Sequence, residues 1–105
     1  MAVAQRPGPD LPRVSVEEIT TDFLRRADAA VARGDLGEAR DRYVYVLNLG
    51  GPSADAYCGL ARVALHAGRP EQAVRWIDRA LEMDSRHVGA IKLRKKMQHH
   101  EPREP

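Results

Sequence analysis

Residues 57–85 read YCGLARVALHAGRPEQAVRWIDRALEMDS, and this stretch decides how the chain folds. Tyr57, Leu60, Ala61 and Ala64 recur at helical spacing, and so do Ala73, Val74, Ile77, Ala80 and Leu81. Between the two runs stand Gly68 and Pro70. A glycine ends a helix cheaply because the left-handed residue after the last turn costs least without a Cβ. A proline is best tolerated at the first position of the next helix, where its missing N–H is not needed. The stretch therefore predicts two helices folded back on each other. Moved 34 residues along the chain, it meets itself without a gap: Gly34 falls on Gly68, Ala39 on Ala73, Tyr43 on Ile77 and Leu47 on Leu81. Phe23 likewise falls on Tyr57, Ala27 on Ala61 and Ala30 on Ala64. A fixed period of this length with two helices per period is the signature of a helical repeat array.

Outward from this core the helix signals continue. Ser15 with Glu18 forms a capping box that opens a first helix through Ile19, Phe23, Ala27, Ala30 and Val31. Gly34 closes it. Asp35 with Glu38 opens a second helix, which Gly50-Gly51-Pro52 stops. Ser53 caps the third, Pro70 begins the fourth, Asp84-Ser85 interrupts, and a fifth runs from His87 to Met97. Residues 1–14 and 98–105 are rich in proline or charge and poor in apolar side chains, which predicts disordered tails around a domain over 15–97.

At these residues the chain resembles the tetratricopeptide repeat family, over about residues 20–97. The second repeat carries Tyr57, Leu60-Ala61, Ala64, Ala73 and Ile77, and its segment Ala80-Leu81-Glu82-Met83-Asp84 is similar to the family's closing segment. The first repeat is more degenerate: Arg26 stands where the family has leucine, and Gly51 and Ser85 replace the closing proline. The resemblance implies an all-α fold of α-hairpin repeats stacked as a short right-handed superhelix. Its five helices would comprise repeats at about 20–53 and 54–87 and a capping helix at about 88–97. It also implies a concave groove lined by the first helix of each repeat. Carried onto this chain, the partner-binding positions include Arg25, Asp28, Cys58, Arg62, His66, Lys92 and Lys96. Arg62, His66, Lys92 and Lys96 are expected to form a basic stripe suited to acidic side chains or a terminal carboxylate. The Lys/Asn/Arg clamp of the chaperone-binding subfamily is missing: Leu24, Asp28, Gly59, Gly89 and Leu93 hold its places, so chaperone-tail binding is not implied.

Composition narrows the function classes. The chain has 105 residues, enough for one small domain, with 30% charged and 5% aromatic side chains. Its net charge of +2 is uneven: residues 15–91 carry 10 basic and 12 acidic side chains, while residues 92–105 carry five basic and two acidic ones. The basic character thus belongs to the ends, which argues against the body as a nucleic-acid binder. Lys92, Arg94, Lys95 and Lys96 read as a solubilising cap, with no interleaved aromatic for base stacking. Arginine outnumbers lysine 14 to 3, which reads as GC-rich, bacterial genome composition. A single cysteine, no export signal and no membrane-length apolar run predict a cytoplasmic protein without a membrane partner. No phosphate loop, paired metal ligands or nucleophile–base motif is present, so the expectation is no enzyme, no cofactor and no metal, the adjacent His99-His100 included.

Two functions follow from this reading. The first is an interaction module or adaptor that binds a peptide or partner protein, acidic in character, in the groove. The second is a self-associating structural or accessory subunit of a larger assembly. Ile19, Phe23, Leu24, Val44 and Val46 supply more apolar surface than one hairpin face readily buries, which points to a homodimer through the first hairpin.

Overall fold

The computed structural model describes residues 14–99, with the backbone alone at His99; of the disordered tails expected at 1–14 and 98–105, residues 1–13 and 100–105 lie outside the described residues. The chain forms α1 (Val16–Ala32), α2 (Leu36–Gly50), α3 (Ala54–His66), α4 (Pro70–Met83) and α5 (Val88–His99), and no strand among the described residues.

Local chemistry sets each boundary. The Ser15 hydroxyl accepts from the Glu18 N–H at 3.1 Å while the Glu18 carboxylate accepts from the Ser15 N–H at 3.0 Å, the reciprocal box read from the sequence. The Asp35 carboxylate accepts from the Glu38 N–H at 3.2 Å, and the Ser53 hydroxyl from the Ala56 N–H at 3.1 Å. The turns inside the two hairpins are copies of each other. Gly34 and Gly68 both sit at positive φ, 82° and 78°. Asp35 N–H donates to the Ala30 carbonyl and Arg69 N–H to the Ala64 carbonyl, both at 2.8 Å, closing the same C-terminal motif 34 residues apart. The fifth helix departs slightly from expectation. It begins at Val88, because the His87 ring takes the capping place and accepts the Ala90 N–H on Nδ1 at 3.0 Å. It continues through Gln98 and His99, two residues past Met97.

The helices pack as antiparallel neighbours, α1 on α2 and α3 on α4, with α3 against both first-hairpin helices and α5 against α3 and α4. Ala27, Ala30, Ala39, Ala56, Ala61, Ala73, Ala80 and Ala90 are all fully buried. Their lack of side-chain bulk lets the backbones approach, and Tyr43, Val46, Leu60 and Ile77 fill the space beside them. Trp76 touches the buried clusters of both halves. It stacks on Tyr57 with ring centroids 5.7 Å apart, and Arg79 lies over its face. The first hairpin holds the same device with two positions exchanged: Phe23 stacks on Tyr45 at 4.3 Å, and Arg42 lies over Phe23. Arg42 precedes Trp76 by one period and Tyr45 precedes Arg79 by one period, so aromatic and arginine have traded places on the second helix.

One residue of the expected core is exposed. Val74, which the periodicity placed on the inner face of α4, is 45% exposed. Its counterpart one period earlier, Arg40, is exposed as well.

Candidate functional site

The register of 34 residues explains the polar centre of the molecule. Asp28 on α1 and Arg62 on α3 hold the same place in consecutive repeats, so stacking brings them side by side, and Arg62 Nη2 donates to Asp28 Oδ1 at 3.2 Å. The Tyr43 hydroxyl, rising from α2, donates to the same carboxylate oxygen. The other guanidinium nitrogen lies 3.6 Å from Cys58 Sγ. Tyr43 itself is fully buried, its ring laid across Gly59 of α3 so closely that a Cβ there would stand 2.2 Å from ring carbons. Burial, and then the hydrogen bond to Asp28, push the Tyr43 phenol well above its ordinary range. Burial likewise pushes the Cys58 thiol up, with the Arg62 charge opposing only in part. A thiol held protonated is a poor nucleophile, so Cys58 packs as a small apolar group.

A second polar bridge ties α5 to α3. His87 Nε2 lies 2.6 Å from Asp55 Oδ1. Because Nδ1 already accepts the Ala90 N–H, the ring proton belongs on Nε2 and is donated to Asp55.

Next to this bridge the two repeats stop being alike. At the junction of α2 with α3, Leu60 and Val63 are buried against the first hairpin. One period later, at the junction of α4 with α5, their places are taken by Arg94 and Met97. Arg94 turns to solvent, Met97 is only half-buried, and a pocket of about 780 Å³ opens between the C-terminal turn of α3, the N-terminal half of α4 and the C-terminal half of α5. Leu65, Val74, Ile77, Leu93 and Met97 make its apolar wall. Arg62, His66, Arg94 and Lys96 stand around it, with Glu71 and Asp78 on the α4 side.

The seven positions named from the sequence therefore separate into groups. Arg62, His66 and Lys96 come together on one pocket. Asp28, Cys58 and Arg62 are joined by direct contacts, with Cys58 buried beneath the guanidinium. Lys92 is exposed on α5 beyond the pocket lining and, among the described residues, neither it nor Lys96 makes an ion pair. Arg25 lies apart, 3.9 Å from Asp22 in a shallow dent with Glu17, Glu18 and Thr21. Of the apolar wall, Leu65 and Leu93 are groove positions that the family resemblance implies; Val74, Ile77, Met97 and the Tyr43 contact were not read from the sequence as site features. The signal for the Tyr43 network was present, since Asp28 and Arg62 are opposite charges at equal repeat positions.

Among the described residues no three His, Cys, Asp or Glu side chains are grouped to hold a metal, and no helix is long and apolar enough to cross a membrane. A family model described as tetratricopeptide repeat matches residues 24–87, from the middle of α1 to the cap of α5. No curated protein and no solved structure matches the chain.

Proposed function

The chain belongs to the tetratricopeptide repeat family of protein–protein interaction modules, and from that premise we propose that it is a non-catalytic adaptor holding an acidic segment of a partner protein on the face lined by α1, α3 and α5. The observation that carries this reading is the gathering of Arg62, His66 and Lys96 on one pocket beside a helix, α5, whose sequence holds four basic side chains and no acidic one. Such a surface attracts carboxylates at long range and pairs with them on contact.

The contacts of Arg62 decide how to test it. Its reversal would set two carboxylates side by side and disturb the fold as well as binding, so Lys92 and Lys96 are the cleaner pair. With a photo-crosslinking residue at Lys92 or Lys96, the partner is captured in the native host, whereas at Arg75 on the second helix of the hairpin it is not. Lys92→Glu with Lys96→Glu abolishes capture from a probe placed at His66 and leaves the melting temperature nearly unchanged. Capture at Arg75 alone would move the site to the opposite face. The interaction weakens with added salt, because exposed charges are screened within about 8–10 Å in physiological salt.

A second reading rests on the first hairpin, where Val16, Val44, Tyr45 and Leu49 are between 37% and 47% exposed. That edge suits self-association, with the chain as a subunit of a larger assembly. Light scattering at micromolar concentration decides it, and a monomeric mass removes this reading.

A further inference from the structure

We propose that the pocket between α4 and α5 receives one large apolar side chain, aromatic or long aliphatic, carried by the acidic segment of the partner; this rests on the adaptor reading above and names what that segment must contain.

The walls require it. Val74 and Met97 leave apolar surface open to water, over a floor of Ile77 and Leu93 that is almost fully buried. The gap exists because Arg94 and Met97 stand where Leu60 and Val63 seal the preceding junction. A further helix of the array is a poor occupant. The small residues that let α4 approach α3, Ala61 and Ala64, are replaced one period later by Lys95 and Gln98, which hold a helix axis away from α5. A single side chain entering from the groove meets no such obstacle.

The rim selects the neighbours of that side chain. Arg62 is paired with Asp28, Arg94 and Lys96 balance Glu71 and Asp78, and Lys92 and Lys95 on α5 leave the surroundings net positive. A segment with carboxylates on both sides of the apolar residue complements this rim, whereas a basic or wholly apolar one does not.

Two blocked pentapeptides, identical but for a central phenylalanine or alanine between two pairs of glutamates, test the proposal against full-length protein by NMR titration. The phenylalanine peptide is expected to bind about tenfold more tightly than the alanine peptide, since burying the ring is favourable. It alone should shift the methyl signals of Val74, Leu93 and Met97. Val74→Phe, a change at a half-exposed position, fills the pocket from within. It should remove the difference between the peptides while leaving the weaker alanine peptide bound. Equal affinities, with shifts only at the amides of Arg62, His66 and Lys96, would overturn the pocket and leave the acidic groove standing. No shift with either peptide would overturn both.

Discussion

The two junctions between successive repeat helices occupy the same place in the array and are built oppositely. Where α2 meets α3, Tyr43 lies flat on Gly59, its hydroxyl reaches Asp28, and Arg62 closes the network. Where α4 meets α5, Ile77 and Leu93 stand at those two positions with no polar partner, and the space beyond them is a pocket. Within the hairpins the repeats are near copies, down to the hydrogen bonds of their turns. Evidently the backbone arrangement tolerates either filling, so the array can seal one junction and leave a pocket at the other.

The largest effects should show that the hairpins themselves are equivalent. Ala39→Leu and Ala73→Leu each insert three carbons into a fully buried site and should each cost about 3 kcal/mol in urea denaturation, near the top of the range for overpacked cores. Gln72→Leu, on the exposed side of α4, should change stability by less than about 0.5 kcal/mol. A large difference between Ala39 and Ala73 would break the equivalence from which the comparison starts.

Gly59→Ala comes next. The clash with the Tyr43 ring outweighs the gain of about 1 kcal/mol in helix propensity and leaves a net loss of about 2 kcal/mol. Gly89→Ala, whose Cβ would stand 3.2 Å from the His87 ring and 3.3 Å from Cys58 Sγ, should stay within about 1 kcal/mol. Matching losses at the two glycines would mean that Tyr43 yields easily and that close fit does not seal the first junction.

Removing only the hydroxyl, Tyr43→Phe, should cost about 1 kcal/mol, the ordinary worth of one hydrogen bond. It should also change the alkaline limit of the fold. The Tyr43 and Cys58 pKa values are both raised in the folded chain, from 10.0 and 9.0. Their contribution is therefore complete below about pH 9 and is lost as pH rises through the folded values. The melting temperature should hold up to about pH 9 and then fall, less steeply in Tyr43→Phe than in the parent. A decline of the same slope in both proteins would place the alkaline limit outside the first junction.

The smallest effect belongs to the ion pair. Asp28 is 55% exposed and Arg62 35%, so a double-mutant cycle through Asp28→Ala and Arg62→Ala should give a coupling of about 0.5 kcal/mol. A coupling near zero would reduce the pair to a by-product of Tyr43 packing.

The sequence by itself determined the repeating parts, because they rest on interactions between residues close in the chain. Ser15 and Glu18 cap the same turn, Gly34 and Gly68 end their own helices, and the alanines recur at the spacing of one helix face. These are near-neighbour effects, and the 34-residue period repeats the glycine ends and the alanine spacing. The groove positions followed only from the family resemblance, and the pocket among them did not follow at all. Whether a pocket opens between α4 and α5 depends on Arg94 and Met97, some 20 residues beyond Val74, which do not fill what Leu60 and Val63 fill at the preceding junction. Whether Arg62 is free to meet a ligand depends on Asp28, an entire repeat away. Such outcomes turn on distances between helix axes, which periodicity does not encode; the tertiary structure decided them because side-chain volume and charge compete for the same interhelical space only once the hairpins have stacked.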